Sequence, residues 1–181
     1  FIVGSGGAGL HRGGNGLSVA YRFLVDGHIG IHDDRWLTYP WGVNGGKPGM
    51  RSTKLLVRAD GSEEYIPAKC EDVKVQKGDL LYFNTWGGGG WGDPLQRDPA
   101  IVASDVAKKL VSAEGARRYG VVLNDDLTLN DKETKSLRAE MSKDTVKDEM
   151  FNFGGTIDEI KSKSLEETHL AAPVSPTFVN Q

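Results

Sequence analysis

The chain has 181 residues, enough for one domain with a hydrophobic core and only a small second one. Its net charge is −3 and its 22 basic residues are scattered, so nothing in the sequence indicates binding to nucleic acid or to an anionic membrane surface. The single cysteine, Cys70, excludes an intrachain disulfide, and no apolar run approaches the roughly 20 residues of a membrane span. We therefore expect a cytoplasmic protein.

Three β-hairpins are predicted in the first half of the chain. They pair residues 17–25 with 29–31, residues 54–58 with 63–66, and residues 73–75 with 80–83. Apolar and polar side chains alternate in the first of these runs, and the turns have the composition that tight turns favour, at Asp26-Gly27, Asp60-Gly61 and Lys77-Gly78-Asp79. The last run is apolar on both faces, which predicts a central strand.

The pattern becomes helical after Asp93-Pro94. Asp98 as N-cap and Pro99 at the first helical position predict a helix. Its apolar face is expected to contain Ile101, Val102, Val106, Leu110 and Val111. Ser112 is expected to cap a short second helix that ends before Gly120.

Two capping boxes are predicted further along the chain. Asn130 with Glu133 begins a charged helix through residue 147, after a return to strand at residues 121–123. Thr156 with Glu159 begins a short helix, and residues 169–181 are expected to be extended or mobile. The sequence thus predicts an α+β fold. It has a mainly-β domain of antiparallel hairpins, rich in glycine, over residues 1–93, a helical segment over 94–147, and a partly extended tail with a short helix over 148–181.

Glycine is the outlier of the composition, with 24 residues, about twice its usual share. The glycines are clustered, so they mark places where the backbone takes a positive φ or approaches another group closely. Gly4-x-Gly6-x-x-Gly9 also has the spacing of a dinucleotide-binding fingerprint. That motif needs a helix directly after the glycines, whereas more glycines and an alternating strand follow here. Dinucleotide binding is therefore the weakest hypothesis for this chain, behind the two that are given below.

The four histidines do not have the spacing of a metal site. His28 and His32 lie on one face of a predicted strand, about 13 Å apart in extended geometry, which is too far to share one ion. His11 lies in a glycine-rich turn and His169 in the tail.

Four motif blocks follow one another along the chain. They occupy residues 5–16, 41–49, 87–94 and 98–122, the last of them ending in Tyr119-Gly120-Val121-Val122. Their residues and spacing resemble the hydantoinase B/oxoprolinase family over about residues 4–145, with Trp86 where that family usually has Pro. The chain resembles the carboxyl-terminal part of a hydantoinase B protein, and Phe1 is expected to lie inside a longer polypeptide.

The resemblance implies part of an ATP-dependent enzyme that opens cyclic amides such as 5-oxoproline and hydantoins, or of a related carboxylase. The implied partners are the remainder of the hydantoinase B protein and a hydantoinase A-type ATP-binding subunit or domain, in an oligomer. The family's metal-ligand block has no match here. ATP with Mg²⁺ and a divalent metal are therefore expected elsewhere in the full enzyme, and this segment is expected to bind no cofactor and to be inactive alone.

Nine residues are predicted to line a substrate or intermediate channel, and the catalytic residues are left unassigned. The nine are Arg12, Gly13, Gly14, Lys47, Gly87, Gly88, Gly89, Gly90 and Asp93. A glycine run presents backbone amides without shielding side chains, as anion-facing loops do. The competing interpretation is a structural or interaction fragment, in which the glycines allow sharp corners and strand packing beneath Trp86 and Trp91. In that case Arg12 is ion-paired or at the surface, and Lys47 lies in a solvated turn.

Overall fold

The structure, a computed structural model, describes residues 1–143 and 150–174. The strands are β1 Ser18–Arg22, β2 Gly27–His32, β3 Gly42–Val43, β4 Thr53–Val57, β5 Glu63–Tyr65, β6 Lys69–Val75, β7 Leu80–Asn84 and β8 Phe151–Asn152. The α-helices are α1 Pro99–Ala107, α2 Asp131–Met141, α3 Ile157–Ser162 and α4 Ser164–Thr168, and 3-10 helices span Pro94–Gln96 and Glu114–Tyr119. Antiparallel strands come first and helices follow, which confirms the α+β class.

The largest sheet has the strand order β1-β7-β4-β5, and β2-β6 and β3-β8 form two-stranded sheets. The hairpin predicted around Asp60-Gly61 is confirmed, because β4 and β5 pair antiparallel across it. The central place predicted for β7 is also confirmed, since β7 lies between β1 and β4. Leu81 of β7 is buried, while Tyr82 on the other face is exposed.

The other two hairpins are predicted wrongly, although all four of their strands form. β1 pairs with β7 and β2 pairs with β6, and in both pairs the facing residue numbers add to 102 until a bulge after Ile29. The two segments predicted as turns lie side by side. There Phe23 N donates to Asp79 O and Gly78 N donates to Phe23 O, at 3.0 and 2.8 Å. The four strands therefore form one long antiparallel ribbon. Alternation indicates a half-buried strand and does not indicate its partner.

Two hydrophobic clusters fill the interior. The sheet cluster contains buried Ile31, Leu56, Ile66, Val75 and Leu81. The helical cluster contains buried Ala8, Val102, Val106, Val111, Ala116, Tyr119 and Val121. Because Ala8 comes from the first glycine-rich segment, the helices pack directly against the glycine-rich part of the fold. The boundary predicted at residue 93 coincides with the start of a 3-10 helix at Pro94, and the division into domains stays a prediction.

The start of α1 is confirmed, since the Asp98 side chain accepts a hydrogen bond from Ala100 N at 2.8 Å and Pro99 is the first helical residue. The helix is shorter than predicted. It ends at Ala107, so two residues of the predicted face lie beyond it, and Ile101 is 48% exposed. The 3-10 helix that follows ends at Tyr119, before Gly120 as predicted, and Gly120 has a φ of 64°.

The later caps are confirmed at their first residues. Asn130 accepts from Glu133 N at the start of α2, and Thr156 and Glu159 form a reciprocal capping box at the start of α3. α2 ends at Met141, and residue 147, the predicted end, lies outside the described residues. The strand predicted at residues 121–123 is wrong, because only an isolated bridge joins Leu123 to Leu129. No helix in the described ranges is long and apolar enough to cross a membrane.

Candidate functional site

Four extended glycine-rich segments meet in the structure, and we call them together the glycine block. They are residues 5–9, 13–16, 46–49 and 87–92. Hydrogen bonds join their backbones directly: Gly7 N donates to Gly88 O at 2.8 Å, Gly88 N to Gly14 O at 2.9 Å, and Gly90 N to Lys47 O at 2.9 Å. Three of the four motif blocks found in the sequence therefore converge on one structural unit.

The glycine block continues the largest sheet. Segment 13–16 leads into β1, segment 46–49 leads towards β4, and segment 87–92 follows β7. Because β7 lies between β1 and β4, segment 87–92 lies between the other two. Segment 5–9 packs on them, since Lys47 N donates to Ala8 O at 2.7 Å.

Close packing excludes side chains from the middle of the block. A Cβ at Gly87 would lie 1.9 Å from Ser5 O, and one at Gly90 would lie 2.1 Å from Ala8 O. The same crowding by backbone atoms recurs at a spacing of three residues, at Gly13 and Gly16 and at Gly46 and Gly49. In collagen, too, a spacing of three places glycine where only a hydrogen atom fits.

Backbone proximity, and not turn geometry, is the reason for these glycines. None of the six has a φ in the left-handed region, so of the two alternatives that the sequence offered, close approach is confirmed for them and a positive φ is not. Corners occur instead at Gly4, Gly45 and Gly92, where φ is 73°, 91° and 75°.

The structure brings seven of the nine predicted site residues together in the glycine block. Gly13, Gly87 and Gly90 are buried, and Gly88 and Gly89 are half-buried. Gly14 and Lys47 are exposed, and a Cβ at Gly14 would meet no atom within 4 Å. The exposed part of the block is therefore formed by residues of segments 13–16, 46–49 and 87–92. Its role as a channel lining stays a prediction.

Lys47 and Asp93 differ in how their side chains are engaged. The Lys47 ammonium has no hydrogen-bond or ion-pair partner among residues 1–143 and 150–174. Asp93 Oδ1 accepts from Leu95 N at 2.8 Å and so caps the first 3-10 helix. Lys47 is thus a cation available to a ligand, while Asp93 has a local structural role.

Arg12 points away from solvent towards a buried carboxylate. Its Nη1 donates to Gly13 O at 2.8 Å, and its Nε lies 3.7 Å from Asp105 Oδ2. Arg97 binds the same carboxylate at 2.8 Å. Two guanidinium groups therefore share one carboxylate beneath the block. Arg97 and Asp105 were not predicted, because only the fold brings them to Arg12.

Tyr119 lies in the same region and is completely buried. Its hydroxyl has no hydrogen-bond partner in the described part of the chain. Burial raises the pKa of this hydroxyl, against the opposing effect of the nearby arginines. Tyr119 therefore stays a neutral phenol that fills the helical cluster.

A second polar cluster beside the block was not predicted, and its centre is the buried Arg51. Arg51 Nε lies 2.9 Å from Glu167 Oε2 and its Nη2 donates to Tyr39 Oη at 2.8 Å. Tyr39 Oη in turn donates to Glu167 at 2.7 Å. Burial, and then the bond to Glu167, raise the pKa of Tyr39. The cluster ties α4 to the residues before β4, which are far away in the chain.

A cavity of about 360 Å³ lies between this cluster and the glycine block. Its lining includes Ser5 and Gly49 from the block, and Tyr39, Arg118 and Glu167 from the other side. Arg118 Nη2 donates to Gly4 O at 2.9 Å. None of the nine predicted site residues lines this cavity.

His28 and His32 lie on β2, as predicted, and each has one carboxylate neighbour. His28 Nε2 is 3.7 Å from Asp72 and His32 Nε2 is 3.3 Å from Glu71, in exposed cross-strand pairs with β6. No group of three or more His, Cys, Asp or Glu side chains suited to a metal ion occurs among the residues that the structure describes.

The dinucleotide-binding hypothesis lacks the helix that it requires. Residues 10–24 form extended chain and β1, with no helix after the fingerprint glycines. Gly6 and Gly9 instead face backbone atoms of Gly13 and Trp91. Without aligned amides at a helix start, the motif has no means of binding a pyrophosphate.

Comparison with known proteins gives a consistent result. Residues 1–94 match the profile of the hydantoinase B/oxoprolinase family. The chain is 38% identical over 139 residues to an uncharacterised protein of Methanocaldococcus jannaschii, covering 74% of this chain and 24% of that protein. It is 36% identical over 145 residues to the beta subunit of the caprolactamase of Pseudomonas jessenii, covering 76% and 25%. It is 32% identical over 133 residues to the B-type subunit of a putative D-/L-hydantoinase from a Pseudomonas strain, covering 72% and 22%.

Two solved structures are similar in fold. The ATP-dependent caprolactamase of Pseudomonas jessenii superposes with a TM-score of 0.55 at 30% identity, over 73% of this chain and 24% of that one. Nucleotide-free acetone carboxylase gives a TM-score of 0.61 at 20% identity, over 91% and 26%, a likeness of fold alone. The chain spans about a quarter of the length of these relatives.

Proposed function

Because this chain belongs to the hydantoinase B/oxoprolinase family, we propose that it is the glycine-packed module of an ATP-dependent enzyme that hydrolyses cyclic amides, or of a related carboxylase. The observation that carries the proposal is the convergence of three family-like motif blocks on the glycine block. Such an arrangement holds loops from distant parts of the chain in fixed positions through direct backbone contacts.

In the proposed role, the exposed part of the glycine block lines a channel for the substrate or an activated intermediate. The open position at Gly14 and the unpaired ammonium of Lys47 support this role. The amides of Gly88 and Gly90 already donate to carbonyl oxygens of the block, so the Lys47 ammonium is the group that suits an anionic intermediate, such as one carrying a phosphoryl group. Rigid walls that exclude water protect such an intermediate from premature hydrolysis.

The proposal assigns ATP to a hydantoinase A-type partner and the divalent metal to the remainder of the hydantoinase B protein. The described residues contain no suitable group of three metal-ligand side chains, so no step of the reaction is assigned to a metal on this chain. The names of the relatives, which include one component of a hydantoinase and the beta subunit of a caprolactamase, support a multi-subunit enzyme. A cytoplasmic location is part of the same proposal.

A purely structural role is the second candidate. It is favoured by the burial of Gly13, Gly87 and Gly90, and by the engagement of Arg12 with Asp105. On this hypothesis the glycine block only stabilises the fold and docks the rest of the enzyme, and its exposed part never contacts substrate.

Gly14→Leu separates the two candidates. Neither Gly14 nor Gly27 has a left-handed φ or an atom within 4 Å of an added Cβ, so a side chain can begin at both without a clash. In the assembled enzyme, a channel role predicts that Gly14→Leu lowers ATP-dependent ring opening of 5-oxoproline, hydantoin or caprolactam roughly tenfold or more. The melting temperature is expected to stay near that of the parent enzyme. Gly27→Leu, in β2, is the matched control and should leave turnover unchanged.

Lys47→Gln tests the cation in the same assay. We expect a lower kcat/KM that Lys47→Arg partly restores, because the second variant keeps the positive charge. Normal turnover in both Gly14→Leu and Lys47→Gln would favour the structural role. Residues 1–181 alone are expected to show no turnover, and robust activity of the isolated chain would contradict the module proposal altogether.

A further inference from the structure

An exposed cluster of aromatic side chains lies where β3 pairs with β8. The Trp41 ring meets Phe151 and Phe153 edge-on, with centroids 5.9 and 5.0 Å apart, and the two phenylalanine rings are 6.3 Å apart. The three residues are 43%, 41% and 47% exposed, and the neighbouring Met150 is 63% exposed. We call Trp41, Phe151 and Phe153 the aromatic cluster. Its residues come from two segments that lie more than 100 residues apart in the chain and pair through β3 and β8.

Arg35 lies at the edge of the aromatic cluster. Its guanidinium carbon is 5.3 Å from the centroid of the Trp41 ring, and its Nη1 donates to Tyr39 O at 3.3 Å. Among the described residues no carboxylate lies within ion-pair distance of this guanidinium. Arg51 and Arg97, by contrast, are each paired with a carboxylate. Arg35 is thus a cation stacked on an exposed tryptophan, with donors available to a binding partner.

The composition of this surface is that of the centre of a protein interface. Tryptophan and arginine dominate the energetic centres of interfaces, where a cation stacked on an aromatic ring is shielded from water. A fully exposed aromatic side chain has roughly 200 Å² of surface, so the exposed fractions of the three side chains together amount to about 250 Å². A stable interface covers about 800 Å² on each partner, so the aromatic cluster has the size of the central part of one.

We propose that the aromatic cluster and Arg35 form a docking surface for an apolar segment that carries a carboxylate, contributed by the remainder of a hydantoinase B-type protein. The inference rests on the proposed function, since the chain spans about a quarter of its relatives. Apolar side chains of the segment cover the rings, and its carboxylate pairs with Arg35. A second copy of this chain is a poorer occupant, because a symmetric contact would bring one Arg35 towards the other.

A photocrosslinking experiment on the assembled enzyme identifies the occupant. Photoreactive p-benzoylphenylalanine is incorporated in place of the half-exposed Phe153, and in place of Tyr21 of β1 as a comparably exposed control. The purified enzyme is irradiated and the crosslinked peptides are mapped by mass spectrometry. We expect a crosslink from position 153 to an apolar segment of the remaining hydantoinase B-type sequence that contains Asp or Glu, and no crosslink to that segment from position 21.

Arg35 variants test the charge complementarity. Arg35→Gln is expected to lower the yield of the position 153 crosslink about tenfold, as removal of a central interface residue does. Arg35→Lys keeps the charge and is expected to restore part of the yield. A crosslink to a second copy of the chain, or to a segment without a carboxylate, would overturn the inference. So would an unchanged yield in Arg35→Gln.

The inference and the proposed function fail in different ways. If the chain purifies with no other polypeptide and is attached to no further sequence of the hydantoinase B type, the module proposal itself is wrong. If the enzyme is assembled and active but position 153 gives no crosslink to the rest of that sequence, only the docking surface is wrong.

Discussion

The glycine block and the largest sheet are continuous in space, yet their interiors are filled in opposite ways. In the sheet, Leu56 and Ile66 fill the space beside the strands with side chains. In the glycine block, backbone atoms of neighbouring segments occupy that space, as where Gly87 and Gly90 face the carbonyl oxygens of segment 5–9. The same strands, β1, β4 and β7, lead from one kind of interior to the other.

This difference reverses the expected effect of a mutation. The sheet loses stability when a side chain is made smaller, because a cavity remains. The glycine block loses stability when a side chain is made larger, because a peptide carbonyl has no rotamer with which to move aside. Three predictions test this contrast and a fourth tests a charged turn beside β7, and they follow in order of decreasing effect.

Gly90→Ala is expected to have the largest effect, a loss of more than about 4 kcal/mol in the free energy of unfolding. The added methyl group would lie 2.1 Å from Ala8 O, which is fixed by its own hydrogen bond from Lys47 N. Urea unfolding followed by circular dichroism, or failure to obtain folded protein, measures the loss. An alanine tolerated within about 1 kcal/mol would show that the glycine block is not close-packed.

Leu56→Ala is expected to cost about 3 kcal/mol, through the cavity left in the sheet cluster. Leu56 is completely buried, whereas its neighbour Leu55 is only half-buried on the opposite face of β4. Leu55→Ala is the matched control, and the same denaturation measurement should give a clearly smaller loss for it. Equal losses for the two variants would contradict the placement of the sheet cluster on one face of β4.

Gly88→Ala is expected to cost about 1 kcal/mol or less, although Gly88 lies two residues from Gly90. Its nearest neighbour would be Gly14 N at 3.2 Å, which a small shift relieves. Comparing the unfolding of Gly88→Ala and Gly90→Ala in one experiment shows whether the loss of stability comes from a local clash or from the loss of any glycine. Similar losses at both positions would mean that any side chain added to residues 87–90 destabilises the fold, whichever way its Cβ points.

Asp79→Asn is expected to give the smallest effect, and one that depends on pH. The Asp79 carboxylate accepts from the backbone N–H groups of Gln76 and Ala59 and lies near Arg58, and these contacts lower its pKa. A lowered pKa in the folded state adds stability above the unfolded pKa of about 3.9, and this contribution is lost as the pH falls through the folded value. The variant should therefore be less stable than the parent at pH 7, with the difference shrinking below about pH 4. A difference that is the same at pH 7 and pH 3 would exclude this ionisation as its cause.

Local features of the fold were predictable from the sequence. The caps at Asp98, Asn130 and Thr156 lie where predicted, because a cap is a contact between residues two or three positions apart. The strands of the three predicted hairpins are also found close to their predicted positions, since alternation records which face is buried. Seven of the nine predicted site residues meet in one unit, but the contacts of the charged residues among the nine could not be predicted from the sequence. The partner of Arg12, for example, is Asp105, which is 93 positions away in the chain.

The sequence by itself determined where the capped helices begin, roughly which residues form the longer strands, and which glycine motifs belong to one family pattern. Tertiary structure alone decided that β1 pairs with β7 and β2 with β6, and that the block glycines serve packing and not turns. The physical reason is range. Periodicity, caps and turns depend on neighbours in the chain, whereas the obstacle to a side chain at Gly87 is the carbonyl of Ser5, which comes near only when the chain has folded.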